Sequence, residues 1–188
     1  MKIQTDRLIL RQFCTADTQG MIAINADPVV MECFPATMTP DQTKAHISRI
    51  VSHWARHNFG LLALELRATG QFIGFTGLTI PPYDTPASPC VEVGWRLSPS
   101  AWGKGYASEA ARACLHWGFT ALDLAEIVSF TATQNNRSVG VMQRIGMTRN
   151  KMDDFAHPML CVDSPLCAHV LYRLTRKHWL DLGGNSQR

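Results

Sequence analysis

Apolar residues along the chain recur in two rhythms. Short apolar-rich runs at 6–13, 59–66, 71–80, 91–98, 126–133, 147–155 and 169–174 read as strands. Three- and four-residue spacing reads as helix over 15–26, from Thr39-Pro40-Asp41 onward, over 105–122 and over 137–145. Thr15 and Asp17 offer caps to the first helix, and Pro40 suits the first turn of the second. The apolar face of that second helix is expected at Ala45, Ile47, Ile50, Val51 and Trp54. Ala68-Thr69-Gly70 turns one strand back on the next. The order β-α-α-β-β-β-α-β-α-β-β predicts hairpins early and parallel crossovers late. This is a mixed α/β sheet with helices on both faces.

The chain has 188 residues, 46% of them hydrophobic and 18% charged, a globular balance that suits one domain. That domain is expected over 1–182, with 183–188 as a frayed tail. A net charge of +3 argues against polybasic nucleic-acid binding and leaves room for a small polyanion. No apolar run approaches the roughly 20 residues of a membrane span, and no signal-like stretch opens the chain. Six cysteines, none in a Cys-x-x-Cys pair, read as buried thiols of a reducing cytoplasm. Four prolines between Pro81 and Pro89 make that stretch a loop.

The most informative stretch runs from Val91 to Ala110: a strand, the turn Trp102-Gly103-Lys104-Gly105, then a long helix. Gly103 and Gly105 let main chain approach a ligand, and the first amides of the helix converge at its positive end. A pyrophosphate fits such a place. Ala107, Ala110, Ala111, Cys114 and Gly118 form a small-residue stripe that packs closely on a sheet, and Lys104 adds a cation. The turn lacks the Gly-Lys-[Ser/Thr] ending of a P-loop, and Ser108 stands where a dinucleotide motif has its third glycine. Downstream, Asn135 or Asn136 caps a helix that Gly146 ends in a left-handed conformation, with Ser138 in its first turn.

Leu-Ser-Pro-x-x-Trp-Gly-Lys-Gly-Tyr-Ala at 97–107 and Asn135-x-x-Ser138 before Arg-Ile-Gly-Met at 144–147 together resemble the GNAT superfamily of acetyl-CoA-dependent N-acetyltransferases. Trp102 departs from the Arg or Gln of the superfamily's motif. The opening Thr-Asp-Arg-Leu-Ile-Leu-Arg at 5–11 is similar to the RimJ/RimL-type branch. The resemblance implies a mostly antiparallel sheet with a splayed parallel pair, here 92–98 and 127–133. It implies pyrophosphate on Gly103, Lys104, Gly105, Tyr106, Ala107 and Ser108, flanked by Trp102. Pantetheine would pair with main chain around Trp95, Arg96 and Leu97. Asn135 would touch the cofactor arm, and Ser138 would lie near the sulfur.

The chemistry asks for a base, because an alkyl ammonium must lose a proton before it attacks a thioester. Glu92 is the first candidate, sharing a strand face with Gly94 and Arg96; an ion pair with Arg96 or another strand cation is the alternative. His157 is the rival base, or else a loop histidine beside Pro158. Asp153 and Asp154 are either substrate-attracting or solvated. Met31, Phe34, Pro35, Met38, Tyr83 and Phe155 are candidates for an apolar mouth, and equally for ordinary packing. His157, Cys161, Cys167 and His169 match no common zinc spacing, and no metal is expected. The expected partners are acetyl-CoA and an amine acceptor, without nucleic acid or membrane, and a homodimer is compatible. Two function classes follow: an N-acetyltransferase, or a CoA-binding or interaction module without transfer. Amine-stimulated thiol release from acetyl-CoA separates them.

Overall fold

Leu8 and Leu10 are fully buried while Ile9 and Arg11 keep partial exposure, the alternation of a strand with one face on a core. The structure, a computed structural model, describes residues 1–184. It follows the expected order with additions at both ends. The elements are β1 (Lys2–Gln4), β2 (Leu8–Arg11), α1 (Asp17–Ala26), α2 (Pro40–His57), β3 (Leu61–Leu66), β4 (Phe72–Thr79) and β5 (Glu92–Leu97). Then come α3 (Tyr106–Thr120), β6 (Glu126–Ala132), α4 (Asn136–Arg144), β7 (Thr148–Arg149), β8 (Phe155–Ala156), β9 (Ala168–Thr175) and α5 (Arg176–Asp181). The fold is mixed α/β, its sheet antiparallel except for the pair β5 and β6. Among the described residues no helix is long and apolar enough to cross a membrane.

The chain forms two compact units: Met1–Thr79 with Gly94–Ala113, and Ile80–Val93 with Cys114 onward. In the first, β1, β2, β3 and β4 pair antiparallel in that order, over a core that includes Leu8, Leu10, Met21, Leu62, Leu64, Ile73 and Leu78. The 94–97 part of β5 continues beside β4. The Thr76 hydroxyl donates to Gly94 O at 2.9 Å and Ser98 N to Ile73 O at 2.9 Å. A Cβ on Gly74 would stand 2.2 Å from Arg96 O, so only glycine permits this approach. In the second unit the order is β5, β6, β9, β7, with β8 also on β9. The parallel pairing of β5 with β6 is confined to one register position, Glu92 opposite Val128. Leu115, Ile127, Met142, Leu171 and Leu174 are fully buried here.

Several local expectations are corrected. Asp17 does not cap α1: Ala16 takes the cap position, while the Asp17 carboxylate accepts from Cys14 N and from both Nη atoms of Arg11. Of the face expected for α2, Ile50 and Trp54 are buried and Ile47 is half-buried, but Ala45 and Val51 are exposed and Thr43 takes a place on the buried side. Thr39 and Gln42 close a reciprocal capping box at its start. The run 147–155 is not one strand. Asn150 Oδ1 takes Met152 N at 3.1 Å and starts a 3-10 turn at Lys151–Asp153 between β7 and β8. Only Cys114 and Cys167 are buried; Cys14 and Cys161 lie in exposed loops. Most of the expected tail, 185–188, lies outside the described residues.

Candidate active site

The glycine-rich turn belongs to the first unit. After β5, Pro99–Ala101 form a 3-10 turn, and the Trp102 indole N–H reaches back to Leu97 O at 2.9 Å. The Trp102 ring packs on Ile24, Val30 and Met31. Gly103 and Gly105 then take φ of +71° and +80°, which L side chains rarely adopt. The amides of Gly103, Lys104, Gly105, Tyr106 and Ala107 take no hydrogen-bond partner among the described residues. Left-handed glycines alternating with ordinary residues, followed by a helix start, present successive N–H groups to one side. A run of open main-chain donors at a helix start has the chemistry to hold an anion. Ser108 is buried behind this run.

The turn is braced by a segment some 100 residues away in sequence. Glu109 receives the Thr5 hydroxyl at 2.6 Å, Arg7 N at 3.0 Å and Arg7 Nε at 2.6 Å. The same guanidinium gives Nη1 to Lys104 O at 2.9 Å and lies 4.7 Å over the Tyr106 ring. Burial pushes the Glu109 carboxyl up, but the bonds from Thr5 and Arg7 outweigh it and leave it below its ordinary value. Sequence reading missed this brace; its only signal was that Thr5 and Arg7 open the family-like segment.

On β5, Leu97 is buried and its carbonyl is taken by the Trp102 indole. Arg96 turns its guanidinium to Asn25 Oδ1 at 2.7 Å and lies 4.1 Å over the Phe34 ring. Trp95 is partly buried. Glu92 is in the second unit and has no ion-pair or hydrogen-bond partner for its carboxyl among the described residues. Burial pushes its pKa up to about 8. The alternative reading, an ion pair with Arg96 or another strand cation, is not formed among the described residues, and Arg96 gives its Nη1 to Asn25.

Also in the second unit, Asn135 caps α4. Its Oδ1 takes Ser138 N at 3.1 Å, and its Nδ2 donates to the Thr131 hydroxyl at 2.9 Å, tying the end of β6 to the helix. Gly146 is left-handed at φ +86° and ends the helix as foreseen. The partly buried Ser138 hydroxyl has no partner among the described residues.

His157 Nδ1 accepts from Met159 N at 3.2 Å, so its proton sits on Nε2, which faces the Tyr83 hydroxyl at 2.8 Å. Both ring nitrogens are therefore engaged. Burial lowers the His157 pKa, and burial followed by the Glu92 charge raises that of Tyr83. Phe130, Phe155 and His169 complete an aromatic cluster around this pair. Tyr83 was foreseen only as a mouth residue; its bond to His157 crosses 74 positions and left no local trace. Of the other mouth candidates, Met31 and Met38 pack in the first unit's core cluster and Phe34 stacks on Arg96. Asp153 and Asp154 are held in ion pairs by Arg173 and Arg149. Among the described residues no group of three or more His, Cys, Asp or Glu is placed to hold a metal.

Residues 7–148 match the family model described as "Acetyltransferase (GNAT) domain". The chain is 33% identical over 150 residues to the "Uncharacterized N-acetyltransferase YnaD" of Bacillus subtilis (strain 168), covering 79% of this chain and 84% of that one. It is 36% identical over 122 residues to the "FsC-acetyl coenzyme A-N(2)-transacetylase" of Aspergillus fumigatus, covering 60% of this chain and 49% of that one. The crystal structure of the acetyltransferase (GNAT family) from Bacillus anthracis superposes with a TM-score of 0.78 at 25% identity, over 94% of this chain and 99% of that one.

Proposed function

The chain belongs to the GNAT acetyltransferase family, and on that premise we propose that it moves an acetyl group from acetyl-CoA directly to a primary amine bound beside it, with no covalent enzyme intermediate. The observation that carries this reading is the run of unpartnered amides from Gly103 to Ala107 at the start of α3. These groups suit the pyrophosphate of acetyl-CoA, and Lys104 adds charge at the rim. In this reading main chain of Trp95–Leu97 pairs with the pantetheine arm, Asn135 lies along it, and Ser138 offers its hydroxyl to the sulfur. Bound acetyl-CoA supplies an activated acyl carbon.

The protein's own residues do the rest. Glu92, ionised above about pH 8, takes the proton of the incoming ammonium, directly or through water. A β5 amide donates to the acyl oxygen as charge builds there. Ser138 donates to the departing thiolate. Holding both reactants together supplies much of the acceleration. His157 is the weaker base, because both its nitrogens are already engaged. We assign the chain to the RimJ/RimL-type branch on the segments 5–11 and 102–107, and take residues 1–182 as one acetyltransferase domain. The test is thiol release from acetyl-CoA in the presence of amines and N-terminal peptides. Release stimulated by an amine, with matching acetylated product by mass spectrometry, is expected. Acetyl-CoA binding without any stimulated release would leave a CoA-binding module instead.

A further inference from the structure

Arg96 is a cation without a counter-ion. Among the described residues no carboxylate lies within ion-pair reach of it, and its one hydrogen bond runs to the neutral amide of Asn25 at 2.7 Å. Its Nε is sealed from water and has no partner. The guanidinium lies 4.1 Å over the Phe34 ring and 5.5 Å over that of Phe75. Aromatic faces of this kind hold the plane of the fork; with Nε sealed and Nη1 given to Asn25, the Nη2 end is what the half-buried side chain keeps for a ligand. A guanidinium carries five N–H donors, and its Nη2 end, with the second Nη1 proton beside it, matches a carboxylate approaching end-on.

The surroundings offer nothing else to neutralise it. His46, packed against Phe75, is held neutral, its pKa lowered to about 4 by burial and then by the charges of Arg96 and Arg49. Its Nε2 is a second buried polar atom without a partner. Asn25 is fully buried and its orientation is fixed, since its Nδ2 donates to the Thr43 hydroxyl at 3.3 Å. An amide thus stands where an aspartate would have supplied the missing charge. A lone buried cation is costly, and it survives where a ligand completes it.

We infer that Arg96, set by Asn25 and Phe34, is an acceptor-recognition residue, and that the amine acetylated here carries a carboxylate which docks on its Nη2 end. This rests on the acetyltransferase reading, which lays acetyl-CoA along the β5 main chain that carries Arg96. The carboxylate can belong to a small amino acid or to an acidic residue near a peptide N-terminus; the chemistry recognised is the same.

The experiment compares acceptors that differ in that group alone: glycine with glycinamide, 4-aminobutyrate with its amide, and peptides bearing Glu or Gln at the second position. Wild-type kcat/KM is expected to favour the carboxylate by about ten- to a hundred-fold, the range of a charge-assisted pair. The small-molecule and peptide arms report which source supplies it. Asn25→Asp, nearly isosteric, installs an internal counter-ion and should bring the ratio to about one, as should Arg96→Met. Equal wild-type rates on both members of each pair, or a preference that survives both variants, overturns the inference. If no amine stimulates thiol release, it is the transferase reading that fails. Arg96 is then judged by binding alone: N-acetylglycine, but not N-acetylglycinamide, should raise the thermal midpoint of the wild-type protein and not of Asn25→Asp. No such difference in the wild type overturns it.

Discussion

Arg7 Nη1 donates to Lys104 O at 2.9 Å, and that contact fixes the direction of the amide beyond it. A trans peptide is planar, with its C=O and the following N–H on opposite sides. Pinning the Lys104 carbonyl toward Arg7 therefore turns the Gly105 N–H away from Arg7. Glu109 holds the guanidinium in place through Nε and is itself held by Thr5.

Glu109→Gln should therefore loosen the cradle without touching it. Acetyl-CoA affinity, read by calorimetry, is expected to fall about ten-fold, the loss of one charge-assisted bond. The kcat at saturating acetyl-CoA should stay within about two-fold. A variant that loses kcat while keeping affinity would contradict the brace.

Gly105→Glu should abolish acetyl-CoA binding while the protein stays folded. Its φ of +80° strains any L residue by about 1–2 kcal/mol, and a carboxylate beside the amides repels a pyrophosphate. Gly103→Ala carries only the backbone strain, because nothing lies within 4 Å of its Cβ. It should lose stability and keep most of its affinity. Calorimetry paired with thermal melts distinguishes the two.

Glu92 gives a pH limb. With its pKa pushed up to about 8 by burial, kcat/KM should rise with pH to about 8 and then level. Glu92→Gln should erase the limb; His157→Gln should leave it, since that ring is not free to take a proton. The raised carboxyl pKa also has a sign in stability. The folded state prefers the neutral acid, so its contribution is complete below the unfolded value and is lost as pH rises through about 8. Glu92→Gln should thus melt higher than wild type, with a gap that widens from pH 5 to 8 and is constant beyond, on the order of a few kcal/mol.

Asp17 behaves in the opposite sense. Burial pushes its carboxyl up, but Arg11, at 2.7 and 2.8 Å, and Cys14 N, at 2.8 Å, bring it below the ordinary aspartate value. The stability it confers is present above the unfolded pKa and is lost as pH falls through the lower folded one. Asp17→Asn leaves Arg11 with Glu65 alone and should cost about 2–3 kcal/mol at pH 7, with a difference that vanishes toward pH 2 in acid melts.

The order from β2 to β6 was legible because each element is long enough to show its own period, and the turn at Gly103–Gly105 because only glycine occupies left-handed backbone so readily. β1 was not, being three residues of which two are exposed. The break at Lys151–Asp153 depends on one Asn150 side chain against its own backbone, too local for any periodicity. The Arg7–Glu109 brace spans 102 positions and the Arg96–Asn25 bond 71, and no local pattern predicts which polar side chains meet across such distances. Caps and glycines declare themselves in sequence; cross-chain pairings do not.

The indole of Trp102 sits where the family motif has Arg or Gln, and it is bonded to Leu97 O while its ring is packed on Val30 and Met31. A flexible cation would have to be recruited and immobilised each time a nucleotide arrives. A wedged aromatic ring has already surrendered its freedom during folding. Position 102 should accordingly add little ordering penalty to acetyl-CoA association, and whatever ionic-strength dependence is measured should come from Lys104 and not from this site.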